Sequence, residues 1–475
     1  MLCDAPLGRG ASWSEDGSIV AALDIRGGLS RIPLDGGRPT RLTELDRGRG
    51  EITHRWPQLL PGGKAVLYTA HTLAVSFDEA HIEAVSLENG QQKHLLAHGT
   101  FGRYLPSGHL VYVSGGILFA VAFDPVRLEV RGTPVPLLTD VTYASVNGSA
   151  QFDFANNGTL AYRSSAGKPA GQWTIQWLDE AGHTEPLVQK PGEYLGPRLS
   201  PDGKRVAMMV ADGPNADISV YDWPSDTMTR LTLSTGVNAD PIWDPEGQYV
   251  VFQSTGGLFR TRADGAGKPE QLTASKFLQT PRSFTPDGRW LAFDEFRPDS
   301  GWDIWTVPVD TGASFQSRTP EPFLQTPFGE WFPAFSPDGR WLAYASNESG
   351  RYEVYVRPFK SEGNRVQISH GGGLMPSWSR NRQEMFYRTE DNRIMTTTYT
   401  ANGDSFAPGR PHPWSEQRVA DFGSTVSFDL APDGRRFAAV VTEGTDLRDS
   451  RNDLTLLQNF FEEVRRRVAM GAKRR

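Results

Sequence analysis

The chain has 475 residues, 38% of them hydrophobic and 11% aromatic, and its 49 basic and 56 acidic residues are interspersed to a net charge of −7. That distribution excludes the basic stripe or patch that a nucleic-acid partner requires. The one cysteine, Cys3, rules out an intrachain disulfide and leaves any metal site to histidines and carboxylates.

At the start, Met1–Gly10 lacks the basic and apolar regions of a signal peptide. No apolar run anywhere approaches the roughly 20 residues of a membrane helix, so the chain as written carries no transmembrane segment. Leu2-Cys3-Asp4-Ala5-Pro6 leads almost at once into a repeat, as expected for a start inside a larger ancestral unit.

From there one module recurs along the chain at intervals of roughly 41 to 52 residues, the length of a four-stranded propeller blade. Its turns read Ser14-Glu15-Asp16-Gly17, Leu60-Pro61-Gly62-Gly63, Leu105-Pro106-Ser107-Gly108, Ala155-Asn156-Asn157-Gly158 and Ser200-Pro201-Asp202-Gly203. They continue as Asp244-Pro245-Glu246-Gly247, Thr285-Pro286-Asp287-Gly288, Ser336-Pro337-Asp338-Gly339, the degenerate Ser379-Arg380-Asn381-Arg382, and Ala431-Pro432-Asp433-Gly434. Pro fixes φ at the first central position, Asp suits the second, and Gly takes the left-handed conformation that closes a strand-to-strand corner.

In the clearest module, Trp341–Tyr344 follows the turn as a buried strand, Tyr352–Val356 alternates as a third, and Arg365–Ser369 forms a more polar fourth. No helical periodicity separates the modules, which excludes a parallel α/β sheet. The expected fold is all-β, a β-propeller of four-stranded antiparallel blades.

The pattern resembles the TolB-like, PD40-type six-bladed propellers over nearly the whole chain. Ile52–Gln58, Ala345–Phe359 and Asn459–Glu463 further resemble the propeller region of large bacterial serine/threonine protein kinases. That resemblance implies a sensor role beyond a membrane anchor, and an extracytoplasmic location if such an anchor is present. It implies no kinase activity, because the Gly-rich loop and the His-Arg-Asp motif are missing. Asp421-Phe422-Gly423 stands without kinase partners, inside the last module.

The small, flexible stretch Ser164–Gly171 divides the modules. Residues 1–166 hold about four blades; in the resembling kinases two further modules would precede them, so the resemblance implies a ring that is truncated here or that closes differently. Residues 172–461 hold a complete six-bladed ring, and 462–475 form a short helix and basic tail. Ring closure mixes strands from both ends of a domain. The strand Trp173–Leu178, or the segment after it, is therefore expected to complete the blade ending at Asp453–Leu457. In the tail, Phe461, Val464 and Val468 share a helical face; the plain reading is a solvated tail, the sharper one a helix docking on a partner or an anionic surface.

Enzyme signatures are weak. No Gly-x-Ser-x-Gly elbow occurs, and His370-Gly371-Gly372-Gly373, which matches an esterase oxyanion tetrad, falls where glycines serve a blade crossover. No His-Glu-x-x-His is present, His94 and His98 read as solvated, and neither a metal nor a cofactor is expected. Recurrent Trp13, Trp243, Trp290, Trp341 and Trp378 read as blade packing. Binding is expected instead on the face opposite the turns, at Arg55, Trp56, Asp240, Trp331, Phe332 and Met375, where equivalent positions differ from module to module. The expected function is a non-catalytic scaffold or sensor for a protein, peptide or small ligand; the alternative is a hydrolase or lyase with its active site in the channel.

Overall fold

The computed structural model describes residues 3–473 except 4, 6, 15, 73–76, 146, 165–172, 213–214, 234–235, 298–299, 310–318, 362, 404 and 442–453. Expectations about the divider Ser164–Gly171 and about Asp453 fall wholly or largely outside these residues. The chain forms two compact units, Met1–Gln172 with Thr445–Arg475, and Trp173–Gly444.

The second unit is a six-bladed propeller. Five blades run in chain order, their innermost strands being Tyr194–Leu199, Ala239–Trp243, Leu278–Phe284, Glu330–Phe335 and Leu374–Trp378. The sixth takes its inner strands, Phe428–Leu430 and Arg436–Val440, from the end of the unit and its outer ones, Ile175–Asp179 and Thr184–Pro186, from the beginning. The closure expected from the first strand is thus present.

Its expected partner is corrected. The strand Leu454–Leu457 pairs not in this ring but with Leu160–Arg163 of the first unit. The place beside Arg436–Val440 is already taken by Ile175–Asp179. The helix Phe460–Lys473, which follows Leu454–Leu457, is anchored in the first unit's core: Phe460 and Val464 are buried with Leu105, Val111, Phe152 and Leu160, and Phe461 and Val468 pack against that cluster. The plain reading of a solvated tail gives way for the same reason.

The first unit has three four-stranded sheets, with innermost strands Ala11–Trp13, Thr53–Leu59 and Thr100–Leu105. A fourth sheet of three strands is Phe152–Phe154, Leu160–Arg163 and Leu454–Leu457.

The repeated turn does more than reverse the chain. Ser336 Oγ donates to Asp338 at 2.5 Å and accepts the Trp341 amide at 3.0 Å, and Thr285 repeats both bonds with Asp287 and Trp290. Gly339 has φ +70°, and a methyl there would lie 3.2 Å from Pro286 of the preceding blade; Gly247 meets Pro201 and Gly203 meets Pro432 in the same way. These three turns therefore need their glycine twice, once for the backbone and once for the neighbouring proline. Where Pro and Gly are both lost, Asn381 substitutes hydrogen bonds, its Nδ2 donating to the Asp433 carbonyl at 3.0 Å.

Apolar faces pack blade on blade. Trp341, Ala343, Val354 and Val356 of the fourth blade bury against Trp378, Met385 and Tyr387 of the fifth. Trp243 and Trp378 also donate their indole N–H to a carbonyl of the preceding blade, Arg198 at 2.8 Å and Ala334 at 2.9 Å. Trp13 departs from the pattern at 65% exposed.

Candidate functional site

At the centre of the second unit lies a cavity of about 430 Å³ lined by the innermost strands of all six blades. Each strand contributes the residue two places before the first residue of its turn: Arg198, Ile242, Ser283, Ala334, Ser377 and Asp429. Several of these side chains also tie one blade to the next. Asp429 accepts the Leu199 amide at 2.7 Å and pairs with Arg198 at 3.3 Å, and Ser283 accepts the Phe335 amide at 3.0 Å.

The inner end of the cavity is set by backbone irregularity. The pairing register slips between Leu195 and Arg198, Ala239 and Ile242, Pro281 and Ser283, Trp331 and Ala334, and Leu374 and Ser377. At four of these bulges a left-handed residue precedes a proline: Gly196 (φ 63°), Asp240 (49°), Phe332 (56°) and Met375 (56°). For the non-glycine residues such a conformation costs on the order of 1 kcal/mol and is held in place by the surrounding sheet.

The third bulge carries Arg282, whose side chain is 2% exposed. Its Nε donates to Asp294 at 2.5 Å, its Nη2 to the Ser424 carbonyl at 3.2 Å, and its guanidinium lies 4.4 Å from the Phe332 ring centroid. Asp294 also accepts the Phe332 amide at 3.1 Å. Burial pushes the Asp294 carboxyl up to about 7 against the pull of Arg282. At the other end, Pro201, Pro245, Pro286 and Pro337 line the cavity, so it reaches the Pro-Asp-Gly turns.

The six candidate residues do not form one site. Phe332 and Met375 line the cavity. Asp240 sits behind the floor, 3.9 Å from Arg282 Nη1, and Trp331 is fully buried between Trp302 at 4.8 Å and Phe332 at 4.6 Å. Arg55 and Trp56 belong to the first unit, where both donate to the Asn147 carbonyl, at 3.2 and 3.1 Å. Arg198, Arg282 and Asp429 were missed. For Arg198 and Asp429 the signal was the alternation of each inner strand counted back from its turn, whereas Arg282 lies one place off that position, at the bulge after Pro281.

Other motifs have structural partners. The amides of Gly371 and Gly372 both donate to Glu353, at 2.8 and 3.0 Å, so the oxyanion-like tetrad is closed by a buried carboxylate of its own blade. Asp421 accepts the Gly423 amide at 2.9 Å. His94 lies 3.5 Å from Glu83 and His98 3.1 Å from Glu79, two different carboxylates. Among the described residues no group of three or more His, Cys, Asp or Glu is arranged to hold a metal ion, and no helix is long and apolar enough to cross a membrane.

Comparison with known proteins gives distant relatives. An uncharacterized protein of Agrobacterium fabrum is 26% identical over 297 residues, 59% of this chain and 81% of that protein. An uncharacterized peptidase of Bacillus subtilis, YuxL, is 24% identical over 43% of this chain, which spans 31% of that protein. A TolB homolog of Chlorobium luteolum is 26% identical over 24% of this chain, which spans 26% of it. Among solved structures, TolB from Acinetobacter baumannii aligns at 17% identity and a TM-score of 0.34, covering 65% of this chain and 80% of that one. The tricorn protease aligns at 13% identity and a TM-score of 0.38, covering 96% of this chain and 54% of that one. Residues 153–294 match the family described as the TolB beta propeller domain, and with its four-stranded antiparallel blades the protein is a TolB-like, all-β propeller.

Proposed function

We propose that the protein is a non-catalytic scaffold or sensor module that receives a protein segment, peptide or small ligand in the cup at the centre of the second unit. The observation that carries this reading is the cavity itself, to which every blade contributes one varied side chain on an otherwise repeated strand. Phe332 and Met375, which line its inner end, belong to this proposed binding surface, which opens towards the turns rather than on the crossover face expected from the sequence. The charged side chains lining the cup are Arg198, Arg282, Arg380, Asp244 and Asp429. Among the described residues no histidine lines it, and the alternative of a hydrolase or lyase acting in the channel would have to use its aspartates and arginines.

A peptide library selected on the intact protein tests the proposal. Enriched peptides should lose binding to Ser377→Trp, which fills the cup, and keep it in Arg55→Ala, in the other unit. Peptides that bind wild type and Ser377→Trp equally overturn it.

A further inference from the structure

The floor of the cup is one side chain. Arg282 leaves the third blade, and Ser424, whose carbonyl accepts its Nη2, leads into the sixth; in the ring order set by the neighbouring inner strands these two blades stand opposite each other. The guanidinium therefore crosses the axis of the channel.

Its hydrogen bonding is incomplete. Nε is bonded to Asp294 and Nη2 to a neutral carbonyl, while Nη1 makes no hydrogen bond among the described residues and forms a long ion pair with Asp240 at 3.9 Å. A planar guanidinium presents its donors as a fork that matches the paired oxygens of a carboxylate or phosphate. The cup is lined by three arginines and two aspartates, Asp429 being paired with Arg198, and Arg282 is faced from outside the lining by Asp294 and Asp240.

We propose that Arg282 is the specificity-determining residue of the cup and receives an oxyanion, a carboxylate or phosphate group, at the leading end of the occupant. The inference rests on the cup being a binding site. The incoming oxyanion takes the place of the Ser424 carbonyl on Nη2 and engages Nη1, while Asp294 keeps the guanidinium in position through Nε. An occupant entering past the prolines of the turns stops at this point.

Two small probes test it on the full chain: trifluoroacetate, read by ¹⁹F line width, and inorganic phosphate, read by ³¹P line width. Wild type should broaden at least one of them, and the more strongly broadened probe identifies the group. Arg282→Met should reduce the excess broadening at least tenfold, and Ser377→Trp, which leaves Arg282 in place and fills the cup, should do the same. Should Arg282→Met fail to fold, Arg282→Lys, which keeps the charge and loses the fork, replaces it and should likewise reduce the broadening. Equal broadening by wild type and the Arg282 variant, equal broadening by wild type and Ser377→Trp, or none by wild type, overturns the inference. In each case peptides that bind wild type and lose Ser377→Trp would leave the cup itself standing, which separates the two failures.

Discussion

Trp177 and Ala438 are register partners in an antiparallel pair, and through them the first strand of the second unit completes its last blade. Deleting Trp173–Leu187 removes both outer strands of that blade and leaves the edge of Arg436–Val440 unpaired. The melting temperature of the second unit should fall by more than 5 °C, measured by differential scanning calorimetry; an unchanged transition would mean that closure adds nothing to stability.

The turn glycines should differ in cost according to what faces them. Gly339→Ala forces a side chain into φ +70° and against Pro286, whereas Gly267→Ala, at φ +86°, meets nothing within 4 Å. The first should lose about 2 kcal/mol in urea unfolding and the second about 1 kcal/mol, the difference being the blade-to-blade contact.

Loss of the indole N–H at Trp243 leaves the Arg198 carbonyl of the preceding blade without its 2.8 Å donor. Trp243→Phe should destabilise the second unit by about 1–2 kcal/mol in the same assay.

Two buried carboxyls of the second unit contribute to the pH dependence of its stability. Burial raises Asp294 and Glu330 each to about 7, so both hold a proton in the folded protein that the unfolded chain has already lost. Stability should therefore fall as pH rises from about 4.5 to 7, by about 1.4 kcal/mol per pH unit for each proton. Asp294→Asn and Glu330→Gln should each flatten that slope in urea titrations between pH 4.5 and 7.

In the first unit, Val464 on the terminal helix is fully buried. Val464→Asp places a carboxylate in that core, and should make residues 3–164 sensitive to limited proteolysis under conditions where wild type resists.

Much of this architecture was legible because short-range chemistry dictates it. Pro201-Asp202-Gly203 and its copies mark corners through backbone preferences that need no partner, and the buried strand Trp341–Ser346 follows directly from its composition. Long-range pairing was less accessible. Leu454–Leu457 and Ile175–Asp179 are both short apolar strands able to complete a blade, and only the helix Phe460–Lys473, fixed in the first unit, decides which sheet receives the former. The floor of the cup was hidden for a related reason: Arg282 looks like a surface arginine until the bulge after Pro281 turns it towards Ser424. Trp331 misled in the opposite sense, since its place at a crossover says nothing about the Trp302 ring that covers it.

The return of Leu454–Leu457 to Leu160–Arg163 has a consequence for the order of events on the ribosome. All of Trp173–Gly444 is translated between these two strands, so the second propeller can fold while the fourth sheet of the first unit still waits for its third strand and its helix. The unit that begins first is finished last: until Leu454–Leu457 and the helix Phe460–Lys473 emerge, its fourth sheet lacks one strand and its core lacks Phe460 and Val464.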